Sequence, residues 1–164
     1  MDKKPWIIIS FCLFLMSSSI VHSHSMDDSK LQNVLTNLLI WLKDQNQFEY
    51  KNISEPNIEI TDRKKMCLLA YRDSYIHINK KEKCSVIFGL YNYKNKTIYI
   101  NHDLDLTSKK GQAIVLHELV HHFQYESGDA DKVVNINQLE PLAYFLEKKF
   151  NKEYSLLALN KHFH

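Results

Sequence analysis

Glycine and proline are scarce, at three residues each in a chain of 164, and that scarcity excludes long flexible linkers. No internal repeat and no low-complexity stretch appears beyond the first segment. An excess of one charge is also missing: 21 basic residues stand against 19 acidic ones, for a formal net charge of +2. Nucleic-acid binding usually leaves a concentrated basic face, so this class of partner is excluded. Cysteine is limited to Cys12, Cys67 and Cys84, whereas a purely structural zinc site usually has four ligands rich in cysteine. The apolar run Trp6–Met16 has eleven residues, short of the ~20 that span a bilayer, which argues against a stable membrane anchor.

That run does have a reading. The charged start Asp2-Lys3-Lys4 precedes it, and the small polar stretch Ser17 to Ser25 follows it. This order is that of a secretory signal peptide, with cleavage expected after Ser23 or Ser25. Residues 1–25 are therefore read as the signal and residues 26–164 as one domain, which the length also favours. The product is expected to be exported, periplasmic or secreted, and monomeric. Cys12 leaves with the signal. Cys67 and Cys84 remain as an even pair in an oxidising compartment. A disulfide between them would close a loop of about 17 residues, worth ~3 kcal/mol in the chain-entropy model.

The periodicities predict a mixture of helices and strands. Leu31, Val34, Leu35, Leu38, Leu39 and Leu42 recur at three-and-four spacing, the mark of an amphipathic helix over about 29–45. Asn57 to Thr61 alternates and predicts a short strand, and residues 62–71 predict a short helix. Val86–Tyr91 and Thr97–Ile100 flank the polar Asn92-Tyr93-Lys94-Asn95-Lys96 and predict a β-hairpin. Thr107 or Ser108 is the expected cap of a helix over about 109–125. A loop over 126–131 leads to a further helix over about 138–151, and the tail from Tyr154 adds a last helical piece. The fold class is α+β, a small sheet or hairpin packed beside helices.

The chemistry is concentrated on the helix over 109–125. His117 and His121 are four residues apart, so their imidazoles project from one face one turn apart. Two neutral ring nitrogens so placed can reach one Zn²⁺ at ~2.0–2.1 Å. Glu118 lies about 100° around the helix, beside the metal rather than on it, which suits a base acting on water. This histidine-glutamate-two-residue-histidine pattern carries a mechanism. The same helix carries Ile114, Val115, Leu116, Leu119, Val120 and Phe123. Polar side chains on so apolar a helix need a partner, and a metal is one. A catalytic zinc takes three protein ligands and leaves one position open. Glu140 follows His121 with 18 residues between them, a spacing that suits a helix–loop–helix return. It could instead cap its own helix, since Asn137 precedes it by three. Glu147 is the reserve ligand, and the loop residues Asp129 and Asp131 are further alternatives.

His117-Glu118-Leu119-Val120-His121 together with Glu140 resembles the gluzincin class of zinc metallopeptidases. The longer pattern is similar to a family of small exported bacterial proteins with one minimal zincin domain. It comprises Gly89-Leu90-Tyr91, Thr97-Ile98-Tyr99-Ile100, the motif extended through His122-Phe123-Gln124, and Glu140 with Ala143-Tyr144. The resemblance covers about residues 57–150. It implies a minimal zincin fold, one catalytic Zn²⁺ held by His117, His121 and Glu140, and Glu118 as the catalytic base. It also implies hydrolysis of peptide bonds in a peptide or protein substrate through a metal-activated water. Many gluzincins carry an aspartate four residues after the ligand glutamate, orienting a metal histidine; here that place is Tyr144, so the residues behind the histidines are unassigned. In zincins an edge strand before the metal helix pairs with extended peptide, and residues 97–101 are expected to be that edge. Tyr144 is either a hydrogen-bond donor to a developing oxyanion or a packed tyrosine. His122 points about 100° away from His121 and is expected behind the site or in the core, with Gln124 packed nearby. His77, His102, His162 and His164 are expected on the surface, and Asn52 and Asn95 begin glycan-acceptor patterns. The alternative function is an inactive zinc-binding envelope protein that binds a protein or cell-wall peptide.

Overall fold

The computed structural model describes residues 28–48, 53–73 and 87–161. The expected signal peptide, Asn52, His77, Cys84, His162 and His164 lie outside these residues. Cys67 lies within them, on a helix, but the bridge expected from it to Cys84 does not fall wholly inside the described set. The architecture is mixed α+β, with four α-helices and one three-stranded sheet among the described residues. Helix α1 spans Asp28–Asp44, strand β1 Asn57–Thr61, helix α2 Arg63–Asp73, strand β2 Gly89–Asn92 and strand β3 Thr97–Asn101. Helix α3 spans Lys109–Glu126 and helix α4 Glu140–Lys161, with 3₁₀ turns at Ala130–Lys132 and Ile136–Gln138 between them. No helix among the described residues is long and apolar enough to cross a membrane.

The leucine stripe of α1 does what its spacing predicts. Leu31, Leu35, Leu38 and Leu42 are buried, and Val34 and Leu39 pack partly against the same core. Each such leucine contributes roughly 1.5–3 kcal/mol through burial. Opposite them lie Leu116, Leu119 and Val120 of α3 and Ala143 and Leu146 of α4, all fully buried. Trp41 of α1 meets Phe150 of α4 edge-on at 5.3 Å and donates from Nε1 to Glu153 Oε2 at 2.7 Å. Helix α4 is one continuous element through Lys161, so the separate helical piece expected from Tyr154 is its last turns. Pro141 occupies the second position of α4, inside the first turn where its missing N–H costs nothing.

The sheet corrects one expectation. Its order is β1-β3-β2: β1 pairs with β3 in parallel and β2 with β3 antiparallel. Residues 97–101 are thus the central strand, not an edge, and all five are buried. The hairpin of β2 and β3 is as expected, but β1 joins the far side of β3 and closes it. Among the described residues, the free edge nearest the motif helix is β2. Asn101 N–H donates to Phe88 O at 2.9 Å, so Phe88 and Leu90 turn their backbone groups toward β3. Antiparallel alternation then turns those of Gly89 and Tyr91 outward.

Helix α3 is fixed at both ends. Ser108, one of the two expected caps, accepts from Gly111 N–H at 2.9 Å through Oγ, satisfying an end donor. A Cβ at Gly111 would stand 1.9 Å from the Asp105 carbonyl oxygen, so only glycine fits this tight entry. At the other end Gly128 adopts φ +75°, the left-handed conformation that stops a helix, and its N–H donates to Tyr125 O.

Candidate metal centre

His117 and His121 stand on the face of α3 that α4 covers, and the first residue of α4 is Glu140. The three side chains converge. His117 Nε2 and His121 Nε2 are 3.1 Å apart. Glu140 Oε2 is 3.3 Å from His117 Nε2, and Glu140 Oε1 is 3.4 Å from His121 Nε2. Ligands bonded at ~2.0–2.1 Å to a tetrahedral zinc are separated by about 3.3 Å. The donor set thus has the spacing and the chemistry to hold such an ion, and it is the group of this kind found among the described residues. The imidazoles are 12% and 14% exposed and the Glu140 side chain 38%, a cluster open on the carboxylate side.

The charges around it favour a cation. Burial pulls the pKa of His117 down, but the contact with Glu140, the nearby charges of Glu118 and Glu140 and the contact with Glu147 together raise it. Both histidines hold the Glu140 carboxyl well below the usual carboxylate range. Glu118 points elsewhere, as its place on the helix predicts. Burial pushes its pKa up, against the pull of His121 and His117 and of the Tyr91 backbone N–H that donates to it. That N–H is one of the outward-turned groups of β2. The strand comes close enough because residue 89 is glycine: a Cβ there would lie 2.9 Å from Glu118 Cγ and from Ile114 Cγ2.

Behind the imidazoles stand Glu147, expected as a reserve ligand, and Gln124, expected to pack near the site. Glu147, the reserve ligand, sits on the far side of His117, with Oε2 3.1 Å from Nδ1. With Nδ1 donating to this carboxylate, the neutral ring keeps its lone pair on Nε2, which faces the cluster. Gln124 lies behind His121, with Oε1 3.0 Å from Nδ1. The signal for both was spacing: Glu147 is two turns past Glu140, and Gln124 is three residues past His121 on the same face.

The other expected residues are elsewhere. Asp129 is engaged by Lys132 at 2.7 Å and by Ser127 at 3.0 Å, and Asp131 belongs to the first 3₁₀ turn; neither joins the cluster. His122 is wholly buried. Its Nε2 lies 2.8 Å from Ser54 O and its Nδ1 3.3 Å from Tyr91 Oη, and burial lowers its pKa; it is a core residue. His102 is half exposed, beside Asp103. Tyr144 is 60% exposed, so it is not a packed core tyrosine. Its ring meets that of His117 edge-on at 4.8 Å, and the charge of Glu140, then burial, then Glu147 and Glu118 raise its pKa.

A family model described as a domain of unknown function, DUF6647, matches residues 27–160. No curated protein and no solved structure matches the chain.

Proposed function

The chain belongs to the DUF6647 family, and from the geometry of its site we propose that it is an exported zinc-dependent peptidase of minimal zincin type. The observation that carries the reading is the triangle of donor atoms: two imidazole nitrogens and a carboxylate, 3.1–3.4 Å apart. Two imidazole nitrogens and a carboxylate at that separation match the ligand spacing of a tetrahedral zinc. His117, His121 and Glu140 would hold the ion. When bound, zinc supplies Lewis acidity toward a carbonyl oxygen and acidifies water.

The remaining work falls to the chain's own groups. Glu118 takes the proton of the attacking water and returns it to the leaving amine. Its raised pKa moves it toward neutrality, where a base can both accept and release a proton. Tyr144, protonated and exposed beside His117, donates to the oxygen on which charge develops. The edge that takes up extended substrate is β2, through the outward backbone of Gly89. The substrate is a peptide or protein and the working form a monomer. The order of residues 1–25 supports export, and export supports a Cys67–Cys84 bridge.

Metal content of the purified protein tests the reading, wild type beside Glu140→Ala and Glu118→Gln. Wild type should hold one zinc per chain, and Glu140→Ala should lose most of it. Glu118→Gln should keep the metal and stop cleavage of a quenched fluorescent peptide library. A metal-free wild type would remove the proposal. Zinc retained by wild type without cleavage would favour the inactive envelope-binding alternative.

A further inference from the structure

Gln124 is 3% exposed and uses both ends of its amide. Nε2 lies 2.8 Å from Leu139 O, and Oε1 lies 3.0 Å from His121 Nδ1. A carbonyl oxygen can only accept, so the end facing Leu139 must be the NH₂ group. The amide oxygen then has to face His121, and Nδ1 has to carry the hydrogen. The lone pair of His121 is left on Nε2, pointing at His117 and Glu140. Leu139 is the residue immediately before Glu140, so the same amide that orients His121 also grips the main chain from which Glu140 starts. His117 is backed differently, by the partly exposed Glu147, whose side chain is 29% accessible.

We propose that Gln124 is a positioning residue that fixes the tautomer of His121 and ties it to the first turn of α4, so that one buried amide aligns two of the three donors. The inference rests on the zinc reading for its consequence, but not for its geometry. It ascribes no contact with substrate to Gln124. It accounts for a buried polar side chain on a helix face that the motif itself leaves undefined. Unpaired, such a buried amide would be destabilising.

Two substitutions separate the two ends. Leucine removes both bonds at similar volume. Glutamate can still accept from His121 Nδ1 but has no hydrogen for Leu139 O. The tautomer is read in the metal-free protein from the nitrogen–proton correlation pattern of ¹⁵N-labelled histidines. Zinc affinity is read by competition with a fluorescent chelator, and circular dichroism checks the fold. Wild type should show a single Nδ1–H form for His121. Gln124→Leu should lose it and bind zinc 10- to 100-fold more weakly, the range for groups behind metal ligands. Gln124→Glu should keep the tautomer yet bind at least threefold more weakly. Gln124→Leu with wild-type tautomer and affinity would overturn the proposal. Gln124→Glu with wild-type affinity would overturn the tie to α4, and it decides that point even if the leucine variant fails to fold. A wild type that binds no zinc would sink the peptidase reading, while the tautomer readout would still decide the role of Gln124.

Discussion

Replacing Gly89 by alanine probes the closest approach between the sheet and the motif helix. The added Cβ would lie 2.9 Å from Glu118 Cγ, 2.9 Å from Ile114 Cγ2 and 3.0 Å from Glu118 Oε1. Glu118 is buried and Ile114 is partly buried against the core, which limits how far these atoms can give way. Overpacking of this kind costs about 1–3 kcal/mol. Alanine also restricts the unfolded chain, which returns about 0.4–1 kcal/mol. The net loss should be about 0.5–2 kcal/mol, or roughly 2–10 °C in melting temperature for a domain of this size. The assay is equilibrium urea unfolding of wild type, Gly89→Ala, Glu118→Ala and the double variant. Glu118→Ala removes two of the three opposing atoms, so the double variant should be more stable than the sum of the single changes predicts, by roughly 1 kcal/mol. A Gly89→Ala protein at least as stable as wild type would refute the close approach. Purely additive variants would refute Glu118 as its cause.

Two further expectations concern pH. Burial raises the pKa of Glu118, so its ionised form is disfavoured by folding, and wild type loses stability as pH rises from the unfolded value of about 4.3. Metal-free Glu118→Gln should therefore melt above wild type at pH 7, with the gap closing below pH ~4; a variant that melts lower at pH 7 would contradict this. Glu126 behaves oppositely. Lys96 at 2.8 Å and the Ser54 hydroxyl at 2.6 Å lower its pKa from 4.5 to about 2, so its contribution is complete above pH ~4.5 and fades as pH falls toward 2. The full depression corresponds to about 3 kcal/mol, but Lys96 is half exposed and screening leaves about 1 kcal/mol. Urea titrations from pH 7 to 2.5 should show Glu126→Gln less stable by that amount at neutrality and level with wild type at the acid end; a constant gap would be the contrary result.

What could be read in advance was local. The histidine pair and Glu118 are set by helix rotation alone, so their geometry follows from three positions on one helix. Glu140 was accessible because a short connection returns α4 against α3. The environment of Glu118 was not, because its partner is a backbone N–H of Tyr91, and main-chain donors leave no trace in residue type. The strand order was missed for a related reason. Thr97 to Asn101 carries the same residues whether one neighbour or two pair with it, and the parallel partner Asn57–Thr61 is distant in sequence. Gln124 and Glu147 had the right spacing, but spacing alone cannot say whether a polar side chain faces a ligand, the back of a ligand, or water.

The sheet meets the Glu118 carboxylate through the backbone N–H of Tyr91 and the missing side chain of Gly89. A link of this type is indifferent to amino-acid replacement. Leu90 could drift, and the strand could present a new contour on that face, while the Tyr91 amide that meets Glu118 keeps its place. Glu118 would keep this partner through such changes for as long as residue 89 stays bare.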